Sequence, residues 1–283
     1  MNQLLLPTEV AFLSEAAGYL EKPSFAIRVA SLVGKPLEFI TRLAPDRAHQ
    51  LVHAALEKSM AVAVATIPGQ NDVAVLPHEP PTSRSWTEVM HQIAVAVSGG
   101  VGGTFGLPAL AIELPISTTI MFRSIAAVAQ RAGEDLRDPA TRLDCLTVFS
   151  HGGPSVDDDA MESSYLTSRF GMSEVIQQSA RLVAGASAAE ISEMLSKGAA
   201  PALVQLIARV AARFNITVSQ KLVAQSVPVV GAVGGAAVNV AFLDHFNTVA
   251  RYHFGIRVLE RKRVVELVQA AYKTEQLRLR AAK

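Results

Sequence analysis

Two long stretches of this chain are almost without charge, and both carry clustered glycine. Residues 92–122 contain one formal charge, Glu113, and residues 222–243 contain none. At about 20 residues or more, either window is long enough to cross a bilayer, so the first question is whether they face lipid or protein. The first window holds Gly99, Gly100, Gly102, Gly103 and Gly106 together with Pro108 and Pro115, and it sets a carboxylate inside its apolar region. The second includes Gln225, Ser226, Pro228 and Asn239. A carboxylate in hydrocarbon is costly without a partner, whereas small residues let helices approach closely in water as well as in lipid. Both windows therefore read first as buried core helices. Reversible interfacial association and true spanning are the alternatives.

The rest of the chain supports a soluble all-α fold, a compact multi-helix globule built around these two glycine-rich segments. Half of the 283 residues are hydrophobic and only 18% are charged, so much of the chain must be buried against itself, a partner or a lipid surface. Apolar spacing and breaker residues predict helices over 8–21 and 24–42, and a third from Asp46 to Pro68-Gly69. Residues 69–84 contain three prolines and no sustained period, which marks a surface linker. The expected organisation is a single domain over 1–283, with 1–84 as an N-terminal helical extension. Ser85 with Glu88 and Ser187 with Glu190 have capping-box spacing. Further helices are expected from Pro115 to 131, over 138–149, over 160–185 with a break at Gly171, over 201–220, and over 229–252 and 259–280. Ser150 to Asp159 reads as an exposed loop.

Charge is near neutral overall, at +1, but unevenly spread. Residues 251–283 carry nine Lys/Arg against three acids, while 132–193 carry eleven acids against four Arg. Docking of one region on the other accounts for both without an outside partner, and a basic face meeting anionic lipid is the alternative. The overall balance argues against nucleic acid as a partner. The lone Cys145 cannot form an internal disulfide, and the N-terminus lacks the basic and apolar regions of a secretory signal, which together suggest a reducing, cytoplasmic setting.

Few residues carry chemistry. Glu113 is a candidate acid or the anchor of a buried ion pair, since a carboxylate in a water-poor setting must be neutralised or held by donors. Asp244, Asn247 and Arg251, at three- and four-residue spacing, share a helix face, and Asn239 lies one to two turns before them. Were Glu113 and Asp244 to meet, they would form paired carboxylates beside a guanidinium, an arrangement suited to hydrolysis or ligand binding, with Asn239, Asn247 and Arg251 as binding groups. A helix-locking polar network explains the same residues more simply. His49 and His53, with Asp46 and Glu57, form a stripe that is a weak metal candidate without the zincin pattern. His245 and His253 are too far apart on one helix to share a site, and His91 and His151 stand alone. Neither glycine cluster has the lysine of a phosphate loop or the strand of a dinucleotide fingerprint, so no cofactor is expected.

Two blocks of sequence resemble the EcsC protein family. The first runs from Gly99 to Asp135 and includes Leu107-Pro108, Glu113-Leu114-Pro115, Arg123-Ser124-Ile125 and Ala132-Gly133-Glu134-Asp135. The second is Val227-Pro228-Val229-Val230-Gly231-Ala232-Val233-Gly234-Gly235-Ala236-Ala237-Val238-Asn239, followed by Ala250 and Arg257-Val258-Leu259. Where relatives look to have an aspartate before Leu-Pro, this chain has Glu113. The resemblance covers most of the chain from about Trp86 and implies a helical bacterial protein, named for a product encoded beside components of an ABC transporter, with no assigned chemistry. The expected role is that of a non-enzymatic accessory at or near the inner face of the cytoplasmic membrane, meeting the membrane surface or a transport component. A hydrolase or ligand-binding enzyme built on Glu113, Asp244, Asn247 and Arg251 is the rival reading.

Overall fold

The computed structural model describes residues 4–22, 24–34, 50, 53–57, 107–152, 165–225 and 231–281; at 24, 29, 32, 33, 107–113, 188, 222–225 and 231–236 only the backbone is described. The linker at 69–84, the Ser85/Glu88 box, the glycine cluster at 99–106, Asp46, His49, His91 and the side chain of Glu113 lie outside the described residues. Among those described there are helices and no strand, as the periodicity requires.

Local chemistry sets most helix ends. Helix α1 (Pro7–Leu20) opens with proline in its first turn, and Glu9 reaches back to accept the Leu6 amide at 2.7 Å. Helix α2 (Ser24–Val33) stops at Gly34, whose φ is 64°. Helix α3 (Leu107–Arg131) ends in a Schellman arrangement: the Gly133 amide donates to Gln130 O at 2.9 Å and the Glu134 amide to Ala129 O at 3.1 Å. Helix α4 (Pro139–Thr147) is capped by Asp138, which accepts the Ala140 amide at 3.0 Å, and it tightens into a 3-10 turn over Val148–Ser150. Helix α5 (Tyr165–Val183) precedes α6 (Ala188–Ser196), whose Ser187/Glu190 capping box forms as expected, with bonds of 3.3 and 2.7 Å. Helices α7 (Pro201–Gln225), α8 (Gly231–Lys262) and α9 (Val265–Ala281) complete the order.

Five expectations are revised: the helix expected over 24–42 stops at Val33, before the positive-φ Gly34, and four others give way to tertiary packing. Pro115 lies inside α3 and does not begin it, with the Thr119 hydroxyl bonded to the Pro115 carbonyl at 2.8 Å. Gly171 does not break α5. The two helices expected after 229 are both present, but the break expected between 252 and 259 falls at Arg263-Val264, which makes α8 a 32-residue rod about 48 Å long. Ser150, His151 and Gly152, expected in an exposed loop, are buried.

Helix α8 is the axis of the fold, touching α1, α2, α3, α7, α9 and the 3-10 turn. Its residues 241–250 are all buried. Phe242 and Phe246 pack with Phe214 of α7, Phe149 of the 3-10 turn and Phe25 of α2, at ring-centroid separations of 4.8 to 5.9 Å. Offset and edge-on rings at this spacing contribute about 0.5–1.5 kcal/mol per pair beyond their buried area. Among the described residues one stretch, Pro201–Lys221, is long and apolar enough to cross a membrane, and half of it is buried inside the fold.

Close approach explains one helical glycine. A Cβ at Gly255 of α8 would overlap the tip of the Phe12 ring, leaving Cε1 and Cε2 at 3.2 Å. Phe12 is itself held against Tyr252, with ring centroids 5.7 Å apart. Gly255→Ala is expected to lower stability in guanidinium unfolding by about 1–3 kcal/mol from overpacking, although alanine is favoured by about 1 kcal/mol in a helix interior. In a Phe12→Leu background the same change should become neutral or stabilising. An equal loss in both backgrounds would place the cost elsewhere.

Candidate functional site

Toward its C-terminal end α8 presents His253, Arg257 and Arg261 at four-residue spacing, hence along one stripe. The stripe meets the end of α3 and the buried side of α4. Arg257 forms a fork on Glu134, Nε to Oε1 at 2.9 Å and Nη2 to Oε2 at 2.8 Å, while its Nη1 reaches Asp144 Oδ2 at 2.5 Å. Arg261 bonds to Glu134 and to the Ala132 carbonyl. Glu260 holds Arg169 of α5 in a second fork, at 3.0 and 2.6 Å. Three guanidiniums thus face three carboxylates, and the cluster is balanced in charge. Such bidentate pairs are the strong form of a buried ion pair.

Asp144, His253 and Tyr165 form a chain inside this cluster. With a proton on His253 Nε2 the ring donates to Asp144 Oδ2 at 3.1 Å, and its Nδ1 meets the Tyr165 hydroxyl at 2.9 Å. Burial by itself would raise the Asp144 carboxyl, but His253, by charge and hydrogen bond, together with Arg257 and Arg169, holds it well below the ordinary carboxylate range. Burial pushes the Tyr165 hydroxyl up, so it remains protonated. The neighbouring Cys145 is fully buried and its thiol is raised well above the usual range, first by burial and then by Asp144 and Glu134, so it is not a nucleophile.

His151, expected to stand alone, stacks on His253 at 5.4 Å and lies edge-on to Tyr165 at 5.0 Å. Among the described residues neither of its ring nitrogens has a hydrogen-bond partner, and burial, then His253 and Arg213, hold the ring neutral far below its ordinary titration. Gly152 follows with φ 73°, and a Cβ there would stand 2.6 Å from Val249 Cγ2 and 3.0 Å from His245 Cε1. A cleft of about 160 Å³ opens between α4 and α5 and reaches Asp144, Arg169 and Arg257.

The residues chosen from sequence lie mostly at another level of α8. Asp244 is ion-paired with Arg28 of α2, and its carbonyl accepts the Thr248 hydroxyl at 2.8 Å, while Arg251 Nη2 donates to Thr248 Oγ1 at 2.6 Å. Asp244 and Arg251 thus belong to one polar layer, facing α1 and α2. Asn247 is wholly buried with neither amide atom bonded to a described residue, and Asn239 is buried as well. Nearby, Tyr19 and His245 Nδ1 are 3.1 Å apart; burial raises the Tyr19 hydroxyl to about 12 and lowers His245 to about 3. His245 and His253 have separate partners, as their spacing implied. Glu113 lies on α3, but its meeting with Asp244 falls outside the described side chains. His53 Nδ1 stands 3.6 Å from Glu57 Oε1, and no group of three metal-ligating side chains occurs among the described residues.

Sequence reasoning missed Glu134, Asp144, Tyr165, Arg169, His253, Arg257 and Glu260. The available signal was the opposite charge of 132–193 and the basic C-terminal region. Arg257 and Arg261 do dock on Glu134 and Asp144, although Glu260 and Arg169 reverse the polarity.

Two measurements check this account. Arg257→Met leaves Glu134 and Asp144 short of their shared cation and is expected to cost about 3–5 kcal/mol in chemical unfolding, with Arg257→Lys intermediate. The buried histidines set the acid limb. His245 and His151 have folded values below the ordinary 6.5, so the stability from keeping them neutral is complete above pH ~6.5 and is lost as pH falls toward the folded value. The slope is up to about 1.4 kcal/mol per pH unit for each. Asp144 adds loss in the same direction at lower pH. His151→Phe should raise stability at pH 7 by about 1 kcal/mol, by removing two unbonded nitrogens, and should flatten the slope by one proton. An unchanged slope in denaturant titrations across pH would contradict the assignment.

Searches of curated proteins and of solved structures found no match to the chain. A family model, that of the EcsC protein family, matches residues 19–259, from within α1 almost to the end of α8. That span begins well before Trp86, from which the resemblance is read, and it contains every residue of the charge cluster except Glu260 and Arg261. With most of its length matched, the chain belongs to the EcsC protein family.

Proposed function

We propose that this protein is a non-enzymatic bacterial accessory that docks reversibly on the inner face of the cytoplasmic membrane and serves transport or membrane homeostasis there. The observation that carries the reading is one corner of the fold. Glu9 of α1 accepts both the Leu6 amide and the guanidinium of Arg263, at 2.7 and 3.0 Å, which brings the start of α1 beside the α8–α9 turn. Leu4, Leu6, Val264 and Val265 are 73, 47, 55 and 40% exposed there, and Lys262 is exposed next to them. Large aliphatic side chains in water beside a cation match the chemistry of an anionic lipid interface. Each fully buried aliphatic side chain contributes about 1.5–3 kcal/mol, and each nearby lysine or arginine about 1 kcal/mol at an acidic surface. That is sufficient for reversible binding and too weak for permanent insertion.

The hydrolytic alternative receives less support. Asp244 is ion-paired with Arg28, and Asn247 is sealed in the core. The balanced, buried charge cluster on α8 also suits a scaffold better than a reacting centre, because its hydrogen bonds are directed among its own members.

Sedimentation with vesicles tests the reading. Binding is expected to vesicles containing phosphatidylglycerol, weaker binding to phosphatidylcholine alone, and release as salt shortens the range of the attraction. Val264→Asp with Val265→Asp should lower partitioning by about tenfold or more, which corresponds to about 1.4 kcal/mol, without changing the helical signal. Protein that stays in the supernatant with acidic vesicles at low salt would remove the proposal.

A further inference from the structure

The cleft between α4 and α5 is a site of a different kind from the membrane-facing corner. Its two guanidiniums are already paired, and its Asp138 carboxylate is held by neutral donors. Arg169 is held by Glu260, Arg257 by Glu134 and Asp144, and Asp138 is engaged as the cap of α4 and by the Thr141 hydroxyl at 3.2 Å. What the walls still offer is hydrogen-bonding capacity. Ser173 and Gln177 line the cleft from α5, one helical turn apart, and neither is bonded to another described side chain. Arg169 uses Nη1 and Nη2 on Glu260 and keeps its Nε–H, and the Asp138 carboxylate has acceptor positions beyond the two in use. Phe170, half-exposed, also lines the cleft, with the Arg169 guanidinium carbon over its ring at 5.9 Å from the centroid.

Donors and acceptors together, guanidiniums already neutralised, a carboxylate held only by neutral donors and one exposed aromatic ring are features that recognise a hydroxyl-rich, uncharged molecule. An anionic ligand would meet guanidiniums already neutralised, and the Asp138 carboxylate besides, while losing its own hydration. The volume, about 160 Å³, is below the range of about 300–1,000 Å³ typical of drug-sized ligands, which limits the occupant to a single small ring.

We propose that this cleft binds a small neutral polyhydroxyl compound, a single sugar ring or a cyclic polyol, with hydrogen bonds from Ser173, Gln177 and Arg169 Nε–H and with Phe170 covering the ligand's apolar face. The proposal does not depend on membrane docking, since none of these residues belongs to the Leu6/Val264 corner.

The test is saturation-transfer NMR with the full chain, using D-glucose, myo-inositol and glycerol as probes and glucose 6-phosphate and glycine betaine as charged controls, followed by calorimetric titration of the strongest. Binding of a neutral probe with Kd in the millimolar range or tighter is expected, about −4 kcal/mol or better. Gln177→Ala should weaken it about fivefold or more, as loss of a ligand hydrogen bond implies, and Ser173→Leu should abolish it by filling the cleft. Both positions are exposed on α5, so thermal melting should remain near wild type. Absence of binding by all three neutral probes would overturn the proposal. So would tighter binding of glucose 6-phosphate than of glucose, or neutral binding indifferent to both substitutions.

Discussion

The guanidinium of Arg257 joins the end of α3, the buried face of α4 and the long helix α8. Its fork on Glu134 and its bond to Asp144 are in place only when all three elements are docked. Removing an ion from water costs several kcal/mol, which a buried pair recovers only with good geometry and with its remaining lone pairs engaged. Here the recovery is shared: His253 joins Arg257 on Asp144 Oδ2, Thr147 donates to Oδ1, and Arg261 joins Arg257 on Glu134 Oε1. An arrangement with α4 shifted by one turn would leave carboxylates buried without cations. The cluster therefore selects one docking of these helices over others of similar hydrophobic burial.

Helix α8 organises the remainder by alternating what it buries. A polar layer at Asp244, His245 and Thr248 meets α1 and α2, a second at His253, Arg257 and Glu260 meets α3, α4 and α5, and the Phe242 and Phe246 rings pack toward α7 and the 3-10 turn. This pattern explains how α8 is held in register within the fold. In the second of the two uncharged windows, Val238, Asn239, Phe242 and Leu243 all lie within the fold. The described residues thus favour the protein-facing reading of that window.

Some local features were legible because they act over three or four residues. Ser187 with Glu190 acts on orphaned backbone groups next to it and opens α6 where the sequence placed it, and the ends expected at 8, 131 and 138 fall within a residue of those observed. Pro115 and Gly171 misled because a breaker imposes only a kcal/mol or so to a few, while a 25-residue or 19-residue helix packed along its length gains far more. The charge cluster was less legible still. Glu134 and Arg257 are separated by 123 residues, and nothing in the spacing of either announces the other. Only the opposing charge of two regions hinted at it. The stripe of Asp244, Asn247 and Arg251 was correctly placed on one helix, but its chemistry depended on Arg28, another distant residue.

Sequence alone determined the helical class, the family and the caps, since periodicity, motif blocks and hydrogen bonds between near neighbours are written at short range. Tertiary structure decided which charges are neutralised, which histidines are sealed from water, and where a cleft remains between α4 and α5. Those outcomes depend on desolvation and on contacts between residues far apart in the chain, and both quantities come into existence only when the helices are packed.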